Sequence, residues 1–237
     1  MSQSLVTQLF QDANQITPYL RGYTDFPQHV ESIQVNKDNS VLIQQLYNEL
    51  AQSSPEGGAA YWLTRTWDLL CWQPVYLCFL SIYRLNALPD IYNMTQFTQP
   101  KFISGFHFHR TEFIHGSQSL LIEQAGQQLT SLFETYRQQM DPWVRIRPGF
   151  TRHLLADGLL NCLVKLQSTN PGYSNEQIIE QAVQWLEVCN LPKKHLSSLQ
   201  VKDKNTPLQL IRTSCCLVYK CEGRSLCSDC PRLRRDN

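Results

Sequence analysis

Five of the nine cysteines in this 237-residue chain fall within sixteen residues near its C-terminus. An adjacent pair, Cys215 and Cys216, is followed after ten residues by Cys227 and after two more by Cys230, with Cys221 inside the ten-residue spacer. Two residues between cysteines let the backbone turn and present both sulfurs to one metal centre. The pattern therefore predicts a site for metal or redox chemistry in this segment.

The residues alone leave three kinds of site open: an iron–sulfur cluster, a tetrahedral zinc site and a thiol–disulfide pair. Side chains of neighbouring residues diverge, so both sulfurs of Cys215 and Cys216 can chelate one small ion only with strain. A two-iron cluster offers ligand positions that are further apart and accepts an adjacent pair more readily. The spacing favours an iron–sulfur cluster and excludes neither alternative.

The cellular compartment of the protein affects how these cysteines are interpreted. The segment Met1 to Phe10 has neither the basic nor the apolar region of a secretory signal, so we expect a cytoplasmic protein. Structural disulfides are rare in the reducing cytosol, which favours metal binding or redox chemistry for the C-terminal group. The four remaining cysteines lie among apolar neighbours, and we expect them to be buried hydrophobic side chains. They are Cys71, Cys78, Cys162 and Cys189.

Net charge and hydropathy indicate how the protein relates to two classes of partner, nucleic acid and membranes. The net charge is +1, so the molecule lacks the strong positive field that attracts nucleic acid, and we expect no nucleic-acid partner. The most apolar stretch, Trp67 to Tyr83, is short and contains Asp68, Gln73 and Pro74. Such a stretch is a poor membrane span, so we expect at most peripheral membrane contact.

The rest of the chain has mainly helical periodicity. We predict an α+β fold, mainly helical, with a small antiparallel sheet and a short C-terminal cluster-binding segment. The predicted division is a body over residues 1–205, which is also the candidate substrate-binding domain, and a cluster-binding segment over 206–237. Helices are predicted at Ser4–Ile16, Ala59–Cys71, Ser117–Gln139 and Arg152–Gln167. A further helix is predicted to run from one of the candidate N-caps Asp38, Asn39 and Ser40 to about Ser53, and another to follow a capping box at Ser174 and Gln177. Val75–Tyr83 is predicted as strand or buried helix, and Phe102–Gly116 as a hairpin or bent strand.

The C-terminal motif resembles a known family. Arg212-x-x-Cys215-Cys216-x-x-Tyr219, followed by Cys227-x-x-Cys230-Pro231, is similar to the C-terminal signature of the FhuF-type ferric-siderophore reductases. The resemblance covers about the last 26 residues, and no second motif aligns in the body.

The resemblance implies that Cys215, Cys216, Cys227 and Cys230 bind a 2Fe–2S cluster and that Cys221 is not a ligand. It also implies one-electron reduction of Fe(III) held by a siderophore in the cytoplasm.

A ferric siderophore is a bulky chelate with polar oxygens, so its site is expected to combine aromatic walls with arginine or lysine. Such residues occur together at Trp143, Arg145, Arg147 and Arg152, and Arg212 precedes the cysteines. These five residues are the candidate substrate-binding side chains.

The electron source is predicted to be external, since the chain has neither the glycine pattern of a dinucleotide-binding fold nor a phosphate-binding loop. From residue 201 onwards there are eight Lys or Arg against four Asp or Glu. Three of these arginines, Arg232, Arg234 and Arg235, lie in the last six residues and are a candidate docking site for an acidic ferredoxin or flavodoxin.

Two other functional classes stay open on the sequence. One is a non-enzymatic module that reports iron status through its cluster, and the other is a structural zinc protein without redox activity. The first would need a DNA-binding element, and no clear helix-turn-helix or basic face is evident.

Overall fold

The computed structural model describes residues 2–201 and 206–234, with the side chains of Ser2, Gln3 and Arg234 left out of the description. This part of the chain contains six α-helices: α1 (Ser2–Ile16), α2 (Ser40–Ser53), α3 (Gly58–Leu85), α4 (Gln118–Met140), α5 (Pro148–Thr169) and α6 (Asn175–Val188). Small antiparallel sheets accompany them, which confirms the predicted mainly helical α+β class. Within the described residues, no helix combines the length and the apolar character that a membrane crossing requires.

Helix α3 is the centre of the body and packs against α1, α2, α4 and α5. The predicted end near Cys71 is wrong, because the helix continues through Pro74 to Leu85. A proline inside a helix removes one backbone hydrogen bond. Here the surrounding segment, including Leu69, Leu70 and Leu77, is buried and apolar. Burial of that surface outweighs the local cost of the proline.

Among the described residues, seven short strands form three antiparallel sheets. Strands β1 (Ser32–Gln34), β3 (Thr95–Gln99) and β4 (Phe102–His107) make a three-stranded sheet in the order β1-β3-β4. Strand β2 (Ala87–Pro89) pairs with β5 (Phe113–His115), and β6 (Leu199–Gln200) pairs with β7 (Gln209–Leu210). Residues 102–116 are therefore two strands in different sheets, so the chain is bent here and does not form a hairpin.

The remaining helices begin close to where capping residues predict. Ser117 caps α4 by accepting a hydrogen bond from the Leu120 backbone N–H. Ser174 and Gln177 form the predicted capping box at the start of α6. Helix α5 begins at Pro148, one turn before the prediction, because proline is favoured in the first turn of a helix.

The C-terminal segment lies against the body at several points. Strand β6 belongs to the predicted body and β7 to the predicted cluster-binding segment, so their two-stranded sheet joins the two. Strand β7 also contacts α5. Three of the four scattered cysteines, Cys78, Cys162 and Cys189, are buried as expected, and Cys71 is half-buried.

Candidate iron–sulfur centre

The loop that carries the adjacent cysteines is fixed by one carboxylate of helix α5. Asp157 is buried in that helix, and its two oxygens accept the backbone N–H groups of Thr213 (2.8 Å) and Ser214 (2.7 Å). Burial raises the pKa of the Asp157 carboxyl, and these two hydrogen bonds oppose the rise. Asp157 thus holds the backbone just before Cys215.

Directly after the pair, the backbone turns sharply. Leu217 has φ of 60°, in the left-handed region that a branched side chain rarely adopts. A short 3₁₀ turn over Val218–Lys220 follows, and the Lys220 N–H donates to the Leu217 carbonyl. Unfavourable backbone geometry of this kind is found at binding sites, where the surroundings enforce it. The turn therefore begins at the residue that follows Cys216.

The four motif cysteines form two pairs, each with one sulfur from either half of the motif. The Sγ atoms of Cys216 and Cys227 lie 3.3 Å apart. Cys230 neighbours the adjacent pair: its thiol pKa is raised by burial first, and the Cys215 and Cys216 thiols also raise it. Within residues 2–201 and 206–234, no three His, Cys, Asp or Glu side chains converge closely enough to hold one metal ion.

Two thiol pairs side by side are the donor set that a two-iron cluster requires, since four thiolates hold it and each iron takes two of them. The residues present therefore fit a 2Fe–2S cluster. Burial, followed by contact with the Cys216 thiol, raises the pKa of Cys227 to about 11. Two thiolates in contact repel one another, and a metal ion bound to both removes that repulsion.

Arg212 connects the two halves of the motif. Its guanidinium binds Asp229 through two contacts, Nε to Oδ2 at 2.8 Å and an N–H donated to Oδ1 at 2.9 Å. The same guanidinium lies 3.6 Å from the Cys216 sulfur and donates to it. The Arg212 backbone N–H also donates to the Asp229 carbonyl (2.9 Å). A cation is thereby held against the Cys216 sulfur by an ion pair that is itself part of the motif.

Cys221, inside the spacer, has its own surroundings. Its side chain is 9% exposed and contacts the Tyr61 hydroxyl of α3. Burial, then this contact, raises the pKa of Tyr61. Next to it, the Glu222 backbone N–H donates to the Glu56 carboxylate (3.0 Å). Both contacts tie the spacer to the body; the assignment of Cys221 as a non-ligand stays a prediction.

A cleft of about 860 Å³ opens beside the cysteines, and Cys216 and Cys227 form part of its wall. Arg65 and Asp68 of α3 also line this cleft, together with Arg212. Burial raises the pKa of Asp68 to about 6, although Arg65 and Arg212 act in the opposite direction. The two sulfurs are thus accessible from a cleft lined by charged groups.

Residues 212–232 match the family model described as the FhuF 2Fe-2S C-terminal domain. This segment is a 2Fe–2S domain. All four paired cysteines, Arg212 and Asp229 lie within it. The family match covers the C-terminal segment and leaves the body unmatched. No solved structure matches the chain.

The structure separates the five candidate substrate-binding residues. Arg212 lies at the cysteines, as described above. Trp143 packs edge-on against Tyr47 (5.6 Å between ring centroids), and its Nε1–H donates to the Gln139 carbonyl. The exposed Arg145 and Arg147 lie between α4 and α5, and Arg152 lines a different cavity, of about 330 Å³. A substrate site at this group stays a prediction.

Sequence reasoning missed three residues of the site: Asp157, Arg65 and Tyr61. A signal was present for Asp157, because it is the single charged residue in the apolar run Leu154 to Leu160. A carboxylate in such a run is buried only when it has partners. Its partners are 56 and 57 positions further along the chain, so the sequence does not identify them.

Proposed function

We propose that this protein is a cytoplasmic ferric-siderophore reductase, which transfers one electron to siderophore-bound Fe(III) and releases iron as Fe(II). The observation that carries the proposal is the 2Fe–2S domain at residues 212–232, in which Cys216 and Cys227 lie 3.3 Å apart at the wall of a cleft. The resemblance of the same motif to the FhuF-type ferric-siderophore reductases supports the proposed activity.

Reduction serves as the release step. Siderophores hold Fe(III) through hard oxygen donors, and these donors bind the softer, less charged Fe(II) far more weakly. A bound 2Fe–2S cluster supplies the single electron for this reduction. No proton transfer to the iron is needed, so the residues of the chain have to hold the sulfurs and bring the chelate close to them.

The described residues fit these two tasks. Asp157 and the Arg212–Asp229 pair hold both halves of the motif in place. The N–H that Arg212 donates to Cys216 stabilises negative charge on that sulfur, which favours uptake of an electron at the site. The cleft beside Cys216 and Cys227 gives a chelate access to the site without unfolding of the segment.

The electron donor is proposed to be an acidic one-electron carrier, a ferredoxin or a flavodoxin. Its proposed docking site is the basic C-terminus. Arg232 is exposed, and its guanidinium lies 4.5 Å from the centroid of the Tyr219 ring. Arg235 and the side chain of Arg234 lie outside the described residues. No nucleic-acid partner is proposed, and membrane contact is at most peripheral.

A single-turnover experiment tests the proposal. Anaerobic protein is reduced with dithionite, freed of excess reductant and mixed with a ferric siderophore and a strong Fe(II) chelator. We expect one Fe(II) to form for each cluster that is reoxidised. A protein that holds iron and sulfide but transfers no electron to any ferric siderophore would support an iron-sensing module. If the purified protein contains one zinc ion in place of iron, the metal site has a structural role.

A further inference from the structure

Two neighbouring cavities adjoin one another beside the cysteines and share part of their walls. The 860 Å³ cleft and a second cavity of about 320 Å³ share Arg65, Asp68, Arg212 and Asp229. From these shared residues the second cavity continues between α3 and α5. The two cavities together are called the α3–α5 groove below. One end contains Cys216 and Cys227, and the other runs along the body.

One face of α3 forms the wall of this groove. Arg65, Asp68, Trp72 and Tyr76 follow one another at intervals of three or four residues, which places them in line on a helix. All four are half-buried, whereas neighbours such as Leu69 and Leu70 are fully buried. The wall therefore changes from charged near the sulfurs to aromatic further away.

The groove wall combines aromatic rings with a cation. Arg65 lines both cavities, and its guanidinium lies 5.9 Å from the centroid of the Phe102 ring. Outside the groove, the Lys165 ammonium of α5 donates to the Tyr76 hydroxyl (2.5 Å) and lies 5.1 Å from the centroid of its ring. Lys165 itself lines a separate cavity of about 680 Å³. Aromatic surface with positioned cations suits a chelate that presents oxygen donors on an organic frame.

The opposite wall leaves space at one position of α5. Gly158 lines the groove, and a Cβ atom built at this residue would meet no atom within 4 Å. Gly158 is in the middle of a regular helix, where alanine is more favourable than glycine by about 1 kcal/mol. The glycine is therefore not required by the packing or by the backbone, and its missing side chain keeps the groove open.

We infer that the α3–α5 groove is the binding site of the ferric chelate, with Arg65 and Trp72 as the principal contacts. The inference rests on the proposed function and adds the place where the substrate binds. A volume of several hundred Å³ suits a ligand of this size. A chelate bound in this groove lies beside Cys216 and Cys227. In contrast, no described contact joins Arg145, Arg147 or Arg152 to the cysteines.

Filling the groove at Gly158 tests the inference. The probes are the Ga(III) complexes of desferrioxamine B and of enterobactin, since Ga(III) has the charge and nearly the size of Fe(III) but is not reduced. Binding is measured by calorimetry on cluster-loaded protein for Gly158→Ala, Gly158→Leu and Gly149→Leu. Gly149 is the matched control, because it is also in α5, also has no atom within 4 Å of a built Cβ, and does not line the groove.

We expect Gly158→Leu to weaken binding of at least one complex by about tenfold or more, and Gly158→Ala by less, because an added side chain must clash with the ligand. Gly149→Leu should bind as the wild type does, and all variants should keep the visible spectrum of the cluster. If Gly158→Leu binds the complexes as the wild type does and still reduces their ferric forms, the groove is not the binding site, but the proposed reductase activity stands. A wild type that neither binds these complexes nor reduces their ferric forms would overturn both.

Discussion

The helical body and the C-terminal segment are stabilised by different interactions. The body has an extensive apolar core, in which Trp67, Trp185 and Tyr136 are almost completely buried. In residues 206–234, the buried side chains that are apolar or cysteine are Leu208, Leu210, Cys221 and Cys230. The segment is held by hydrogen bonds instead, from Asp157, from Glu56 and between Arg212 and Asp229.

This difference has a physical consequence. Burial of apolar surface is the dominant favourable term in folding, so the body is expected to be stable by itself. The segment buries too little surface for that, and in small domains of this kind the metal site supplies the missing free energy. The body therefore acts as the scaffold, and the cysteines are positioned by body residues far away in the sequence.

Removal of the cluster gives the largest expected effect. After iron is extracted with a chelator under reducing conditions, residues 211–234 should lose protection against hydrogen exchange, while α3, α4 and α6 keep theirs. The reason is that the metal–thiolate bonds are lost and the remaining contacts are few. Retained protection of this segment in the iron-free protein would show that it is stable without metal.

Loss of the Asp157 anchor should have the next largest effect. Asp157→Ala removes two charge-assisted hydrogen bonds, each worth about 1.5–3 kcal/mol. We expect faster loss of the cluster to a chelator and faster exchange of the Thr213 and Ser214 amides, with a small change in the melting of the helices. Asp157→Asn keeps one acceptor oxygen and should be intermediate. An unchanged cluster lifetime in Asp157→Ala would mean that the segment does not depend on this contact.

The smallest expected effect concerns Asp68 and depends on pH. Its pKa of about 6 in the folded protein is above the ordinary value of 3.8, so the folded state binds more protons between these values. Stability therefore falls as pH rises from about 4 to 6, and the loss is complete above pH 6. Asp68→Asn should raise stability by about 1–2 kcal/mol at pH 7.5 and leave it unchanged at pH 4.

Thermal melting at the two pH values measures this difference, with the exposed Asp25→Asn as the control. A stabilisation by Asp68→Asn that is equal at both pH values would show that titration of this carboxyl is not the cause.

The body and the segment also differ in how far the sequence predicts them. The capping box at Ser174 and the starts of α2 and α4 are local features, and they were predicted to within a residue or two. The continuation of α3 through Pro74 was not predicted, because proline is a local helix breaker. The burial that outweighs its effect comes from elements distant in the sequence.

The same holds for the candidate site. Its cysteines follow from a local motif, since their spacing is visible in sixteen residues. The anchors are not local: Asp157, Glu56 and Tyr61 precede their partners in the segment by dozens of residues or more. The left-handed backbone at Leu217, directly after Cys216, is likewise not predicted by any sequence pattern.

Metal analysis of a serine series tests the central claim most directly. The purified protein and its single Cys→Ser variants at 215, 216, 221, 227 and 230 are assayed for iron and sulfide and examined by EPR after reduction. We predict about two irons and two sulfides per chain with a one-electron EPR signal, unchanged in Cys221→Ser and lost or strongly altered in the other four. Loss in Cys221→Ser with normal loading in Cys216→Ser, or zinc in place of iron, would contradict the account.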